Sequence, residues 1–405
     1  MAASNHTTMN VAYILSATTA AGGATKSFLT LMNALRQRGI TPTVVVPDAD
    51  GITPMLRKQG IDTIILAFRP NTYPDRRNVK ENILFLPRLI ARRMVNAKAV
   101  RVLTCELSKR NIQVIHTNVS IIDIGFHTAQ KLHIPHIYHI REYGDSDFHK
   151  HYFPTWNSFH RTLHKPLSYS ICITRDIQRH HQLTNEAQSM VIYNGIDVTT
   201  PTDSGTTTNQ GKESGGDYFL YAGRIEPAKG LLFLLRAYAA YASRGNATPL
   251  HIAGKASDST YMEQVETFIK EHHLQHLVTF LGERTDMPAL MSKARAIIIP
   301  SRFEAFGRCM AEAMMCRCIV IGRNTGGTKE QFDNGLQLTN GEIGFRFSTE
   351  RDLQDILTQF TTIGRDTLLT MRTNAQLTAN HYYSVEAYTQ SVYQFYQRIT
   401  DEKHN

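Results

Sequence analysis

Two successive series of alternating strands and helices, separated by a polar stretch, predict an α/β protein with two doubly wound parallel sheets. Three observations carry that expectation. Short apolar runs without strict in-out alternation recur along the chain, as they do in strands buried on both faces. Stretches with apolar residues at helical spacing lie between them. The 405 residues exceed one ordinary core but suit two domains of about 200 each.

The first strand is expected at residues 11–15, followed by a small-residue loop at 16–25 and a helix to about residue 38 that Gly39 closes. The loop carrying Gly22 and Gly23 brings backbone amides to a helix start, so it can approach a diphosphate or an acceptor closely. It is not a P-loop, since Thr25 and Thr18 or Thr19 stand where glycines are required, and it lacks the third glycine of the dinucleotide fingerprint. Strands are then expected at 42–46, 62–66, 112–116, 135–140, 168–173 and 189–193, with helices near 53–59, 80–110 and 121–132. Residues 199–217, rich in Thr, Ser and Gly, have no means of burying a core and mark the junction. A second series of strands begins at 218–222 and continues at 250–253, 278–281, 296–299 and 318–321. Helices between them include 230–241, where Leu231, Leu234 and Leu235 share a face, and 261–272. After Phe347 the chain reads as helices to the end, the last at 385–399 with Tyr388, Tyr393 and Phe395 as core aromatics. The expected organisation is a first domain at 1–198, a junction at 199–217, a second domain at 218–380 and a terminal helix within 381–405.

Composition narrows the class. No apolar run reaches the roughly 18 residues of a spanning helix. The first ten residues are polar and the five cysteines are scattered, so a cytoplasmic, reducing compartment is expected, without a disulfide frame or zinc knuckle. The net charge of +9 is uneven: up to residue 200 there are 23 Lys and Arg against 13 Asp and Glu, and beyond it 21 against 22. Much of the surplus lies at 69–101, where Arg88, Arg92, Arg93 and other cations mix with Ile83, Leu86, Ile90 and Met94. Such a segment suits an anionic membrane surface, or a solvated basic face of its own domain, and both readings stand. A nucleic-acid groove would need more interleaved aromatics than this segment offers, so no nucleic-acid partner is expected.

Residues 296–300 read as a buried strand, Phe306 and Gly307 as a tight turn, and 308–316 as a helix with Glu312 in its first turn. A helix start at the carboxyl end of a strand offers free N–H groups to a phosphate, while Glu304 and Glu312 can each accept hydroxyl hydrogen bonds. That is equipment for a sugar nucleotide: one carboxylate for the sugar, one for the ribose, and amides for the diphosphate. The alternative is a strand, turn and helix with one capping and one solvated glutamate. Upstream, Arg224 and Lys229 flank Pro227, which fixes the turn, so both cations can reach one diphosphate and neutralise its charge as it departs, without a metal. Two solvated cations are the alternative there. Asp48 with Asp50 and Asp145 with Asp147 read as helix caps, and His133, His136 and His139 cross a helix-to-strand boundary with poor geometry for one ion. No acidic or thiol partner joins His160 and His164, so no metal or other cofactor is expected.

Several motifs then recur in a familiar order. Tyr193-Asn194-Gly195-Ile196-Asp197, Gly223-Arg224 with Lys229-Gly230, Ile252-Ala253-Gly254, Phe280-Leu281-Gly282, Ser301-Arg302-Phe303-Glu304 with Phe306-Gly307 and Glu312-Ala313, and Thr325 to Glu330 together resemble the retaining glycosyltransferases of family 4. The resemblance covers 193–330 and implies the GT-B fold: two Rossmann-like doubly wound parallel-sheet domains facing a cleft, with a C-terminal helix crossing back to the first. By the same resemblance Arg224 and Lys229 hold the donor diphosphate, Glu312 the ribose and Glu304 the transferred sugar. Gly223, Gly254, Ala305, Arg308 and the amides around Phe306, Gly307, Gly326 and Gly327 complete the donor site, with the base near Gly282, Glu283 and Arg284. Gly22 and Gly23 resemble the family's glycine loop. Where many members place a histidine after the fifth strand, this chain has Arg141, and with His139 and Glu142 it forms the acceptor-side candidate set.

The activity this implies is transfer of a sugar from a UDP- or GDP-sugar to an acceptor hydroxyl with retained anomeric configuration, in surface polysaccharide or glycolipid synthesis. Arg224, Lys229 and Glu304 would be the catalytic residues. The partners expected are the nucleotide-sugar donor, a carbohydrate or lipid-linked acceptor, and an anionic inner membrane face meeting 69–101. A sugar-nucleotide epimerase on the same frame would turn over donor with no acceptor present. A non-catalytic sugar-nucleotide-binding subunit would bind donor without turnover.

Overall fold

The computed structural model describes residues 8–20, 22–74, 79–144, 151–198, 216, 218–245, 247–360 and 362–402. The expected junction at 199–217, Gly216 apart, lies outside the described residues, as do Asp145 and Asp147. The chain divides into two compact units, Met1–Gly195 with Val385–Asn405, and Ile196–Ser384.

In the first unit β1 (Met9–Ile14), β2 (Ile40–Val46), β3 (Asp62–Ile65), β4 (Val114–Thr117), β5 (His136–Ile140), β6 (Ser168–Cys172) and β7 (Ser189–Val191) form a parallel sheet in the order β3-β2-β1-β4-β5-β6-β7. Its helices are α1 (Gly23–Arg36), α2 (Thr53–Lys58), α3 (Val79–Ile83), α4 (Phe85–Ser108), α5 (Ile124–Leu132), α6 (Trp156–Leu163) and α7 (Arg175–His180). Val11, Ala12, Tyr13 and Ile14 are all buried, because β1 lies mid-sheet with both faces covered. On one face α1 packs Phe28, Leu31, Met32 and Leu35, the 3.6-residue stripe legible in the sequence. On the other, Ala99, Val100, Leu103 and Leu107 of α4 meet Ala12, Ile14, Val45 and Ile115. The single helix expected at 80–110 is two helices, interrupted at Leu84. Pro87 explains the break: it lacks an N–H and fits only the first turn of a helix, so α4 restarts at Phe85.

In the second unit β8 (Phe219–Ala222), β9 (Leu250–Ala253), β10 (Val278–Gly282), β11 (Ala296–Ile299), β12 (Val320–Arg323) and β13 (Gly344–Phe347) form a parallel sheet in the order β10-β9-β8-β11-β12-β13. A 3-10 turn at Pro227–Lys229 leads into α8 (Leu231–Ala242), followed by α9 (Ser259–Glu271), α10 (Met287–Lys293), α11 (Arg308–Met315), α12 (Gly326–Thr339), α13 (Glu350–Gln359) and α14 (Arg365–Tyr382). Leu231, Leu234, Leu235, Tyr238 and Tyr241 of α8 join Tyr261, Val265 and Ile269 of α9 in one core. The strand β13 was not expected: four residues at a sheet edge, with Arg346 among them, are too few to show a strand period. Tyr383 belongs to this unit rather than to a terminal segment starting at 381, because its carbonyl accepts Ile196 N–H at 2.8 Å and its hydroxyl accepts Asn334 Nδ2 at 2.9 Å. The last helix, α15 (Val385–Asp401), is part of the first unit, where Tyr388, Val392, Phe395, Tyr396 and Ile399 enter the core beside α1. Among the described residues no helix is long and apolar enough to cross a membrane.

Candidate functional site

A doubly wound sheet leaves a crevice at the carboxyl ends of the strands where its order reverses. In the second unit that point lies between β8 and β11. The loops following these two strands are fastened together: Arg302 N–H donates to Ala228 O at 3.0 Å, and a methyl group at Gly230 would fall 2.3 Å from Pro300 O. Gly230 also has φ +72°, so only glycine fits this turn without strain. The consequence is a contact between residues distant in sequence. Lys229 Nζ donates to Glu304 Oε2 at 2.8 Å, with the two side chains 23% and 19% exposed. The sequence treated Lys229 as a cation free to meet phosphate; in the fold it already has one carboxylate partner. Arg224 is 63% exposed and pairs with Glu226 Oε1 at 3.1 Å, while its carbonyl accepts the Tyr221 hydroxyl at 2.9 Å.

Two helix starts stand beside this pair. Gly307, at φ +89°, leads into α11, and Thr325 leads into α12, neither start having a side-chain cap. Gly327 N–H donates to Glu304 O at 2.7 Å, and Gln331 Nε2 donates to the carbonyls of Phe306 and Gly307. Phe306 is buried against Tyr383, so this residue can offer a ligand only its backbone. Glu312 lies in the second turn of α11, one turn beyond the expected position, where Arg308 NH2 reaches its Oε1 at 3.3 Å. The reason is arithmetic: 3.6 residues per turn put the fifth residue of a helix above the first. Ala305 leads from Glu304 into the Phe306 turn, and Gly326 opens α12. Gly254 N–H donates to Gly282 O at 2.8 Å, joining the ends of β9 and β10, and beyond them lie exposed Glu283 and Arg284, the latter bound to both oxygens of Asp286. Gly223 N–H donates to Ala253 O at 3.0 Å. A methyl group at Gly327 would lie 2.4 Å from Phe306 O, backbone against backbone. Gly327→Ala is therefore expected to cost about 1–3 kcal/mol, read as a lowered Tm, and to weaken nucleotide binding. Unchanged melting and binding would show that this close approach is dispensable.

In the first unit the order reverses between β1 and β4. Gly22 precedes the first turn of α1 and gives it no side-chain cap. Asp48 is a turn residue, accepting Thr18 Oγ1 at 2.7 Å and Asp50 N–H at 3.1 Å. His139 lies within β5, and Arg141 and Glu142 follow its end, but the side chains of the three do not all turn to one place. Arg141 and His139 share a buried network with His116, whereas Glu142 turns to Ser120, accepting its N–H at 2.8 Å and its hydroxyl at 2.7 Å. Burial, and then the Arg141 charge, lowers His116 to about 3 and pushes His139 well below the ordinary imidazole value, so both are neutral near pH 7. His136 instead meets Thr117 Oγ1 at 2.8 Å and His133 closes α5, so the three spaced histidines do not share a ligand. Among the described residues no group of His, Cys, Asp and Glu is arranged to hold a metal. Sequence reasoning missed Asn118, Asn194 and Tyr388, which hold Arg141 in place, and His116, which reaches it only through His139. Asn194 was within a quoted motif; the others carried no local signal.

Two parallel-sheet Rossmann-like domains, each with loops gathered at its switch point, are the architecture that GT-B proteins share. Residues 21–200 match the model of Glycosyltransferase Family 4, and residues 206–376 match that of Glycosyl transferases group 1. The chain belongs to the family-4 type of GT-B glycosyltransferases. It is 26% identical over 162 residues to an uncharacterized glycosyltransferase of Methanocaldococcus jannaschii, covering 40% of this chain and 41% of that protein. It is 28% identical over 151 residues to the glycogen synthase of Mycobacterium tuberculosis, covering 37% of this chain and 35% of that protein. The matches thus span about two fifths or less of these relatives' lengths. The crystal structure of Anabaena HepE in complex with UDP and glucose superposes with a TM-score of 0.71 at 20% identity, covering 96% of this chain and 99% of that one, a likeness of fold.

Proposed function

We propose that the protein transfers a sugar from a nucleotide-sugar donor to an acceptor hydroxyl with retention of anomeric configuration. The observation that carries this is the Lys229–Glu304 pair at the β8/β11 switch point, beside two uncapped helix starts. The donor diphosphate lies against the amides at Gly307 and Gly326 and is met by Lys229 and Arg224. Glu304 receives hydroxyls of the transferred sugar, and Glu312 receives the ribose. As the bond from the anomeric carbon to the diphosphate breaks, charge develops on the leaving oxygen, and Lys229 and Arg224 neutralise it without a divalent ion. In a front-face reaction that oxygen takes the proton of the acceptor hydroxyl, so no enzymic nucleophile is assigned. UDP and GDP both fit this scheme, and the complex of Anabaena HepE with UDP favours uridine.

The acceptor is lipid-linked, in surface polysaccharide or glycolipid synthesis, and is met at the anionic inner face of a membrane. What supports this is a run of exposed apolar side chains on α3 and α4, Ile83, Leu86, Ile90 and Met94. Proton NMR of the product, formed with and without EDTA, tests the chemistry. A product with the donor's anomeric configuration and an EDTA-insensitive rate are expected; an inverted anomer sinks the retaining assignment, and loss of rate in EDTA sinks metal independence.

A further inference from the structure

We propose that the first unit holds its own anion site around Arg141, selecting an acceptor that carries a carboxylate or phosphate; this rests on the transferase reading and narrows its acceptor. Arg141 is 8% exposed. Its Nε–H donates to the carbonyl and side-chain oxygens of Asn118, both at 3.1 Å. NH1 donates to Asn194 Oδ1, and NH2 to the Tyr388 hydroxyl at 3.1 Å and to His139 Nδ1 at 3.2 Å. Every one of these acceptors is neutral. Glu142, next in the chain, takes only the backbone N–H of Arg141, at 3.1 Å, and among the described residues no carboxylate pairs with the guanidinium.

A guanidinium cannot shed its proton, so the unit keeps a permanent, nearly buried cation that meets only neutral groups among the described residues. Stability alone gives no reason for one, since a buried charge is costly unless paired. The cation is also aimed from three places, by Asn118 after β4, Asn194 after β7 and Tyr388 on α15. Asn118 Nδ2 donates to Ala24 O at 3.2 Å, which ties the cation to the first turn of α1. A cation held in advance in one orientation, without its anion, is what recognition of a carboxylate or phosphate requires. The donor diphosphate is already assigned Arg224 and Lys229, which leaves Arg141 for a second anion.

The test titrates the full chain, with UDP saturating, with octyl β-glucuronide, octyl phosphate and octyl β-glucoside, and separately with UDP alone. The wild type is expected to bind at least one anionic probe about tenfold more tightly than the glucoside, and Arg141→Gln to abolish that preference while UDP affinity stays within about twofold. Tyr388→Phe keeps the charge but loosens its aim, and is expected to reduce the preference about threefold. Equal binding of the three probes by the wild type, or a preference that survives in Arg141→Gln, overturns the proposal. So does a parallel loss of UDP affinity, which would give Arg141 to the donor's phosphates. A wild type that does not bind UDP would overturn the transferase reading, and the charge comparison, repeated without UDP, would still decide this one.

Discussion

Lys229→Ala is expected to lower kcat about 100- to 1,000-fold while the KM for the donor moves far less. The ammonium carries three donors, and Glu304 occupies one at 2.8 Å, which aims the remaining two. At 23% exposure it is less screened by solvent than Arg224, so in the proposed reaction it would act on the leaving diphosphate more strongly, although Glu304 offsets part of its charge. Arg224, 63% exposed and paired with Glu226, would meet the same charge through more water in the proposed reaction, and Arg224→Ala should lose only about tenfold. Glu312→Ala should do the reverse, raising the donor KM about tenfold with kcat nearly unchanged, because the ribose does not alter during reaction. Steady-state kinetics on the three variants, with melting curves to confirm folding, read these differences. Losses in kcat of equal size in all three would remove the assigned roles.

Replacing Leu86 and Ile90 together by Glu is expected to weaken partitioning onto anionic vesicles about 100-fold and to leave UDP binding intact. Ile83, Leu86, Ile90 and Met94 are 71%, 61%, 52% and 68% exposed, and the last three recur every fourth residue on α4. Half-inserting two such side chains into a bilayer contributes about 3 kcal/mol, which corresponds to roughly two decades of affinity. Charge reversal at Arg92 and Arg93 would be a poorer probe. Arg92 NH1 donates to Thr72 O at 3.0 Å, and Arg93 NH1 donates to Asn71 Oδ1 at 3.1 Å with its guanidinium 5.0 Å from the Phe153 ring centre, so both brace their own unit. Arg88, Lys98 and Arg101 remain exposed, and each contributes about 1 kcal/mol beside an anionic surface. Vesicle sedimentation at low salt measures the effect. If the wild type stays in the supernatant, the acceptor is better sought among soluble sugars or proteins.

The two sheets were legible from the chain because parallel strands buried on both faces must be apolar, and the helices between them must repeat every 3.6 residues. The Gly307 turn was legible for a related reason, since φ +89° tolerates little else, whereas Gly230, expected as the first residue of a helix, is the φ +72° cap before α8. The broken helix at Leu84, the four-residue β13 and the second-turn place of Glu312 were less legible: the break spans one residue, β13 is too short to show a period, and the place of Glu312 depends on where α11 starts. Partnership was not legible at all. Lys229 finds Glu304 75 residues away, and Arg141 finds Asn118, Asn194 and Tyr388 at separations of 23, 53 and 247. A short motif records which groups a site contains, because backbone turns and helix starts are local. Which cation meets a carboxylate, and which meets only neutral groups among the described residues, depends on strand order and on the return of α15, and only the folded chain decides that.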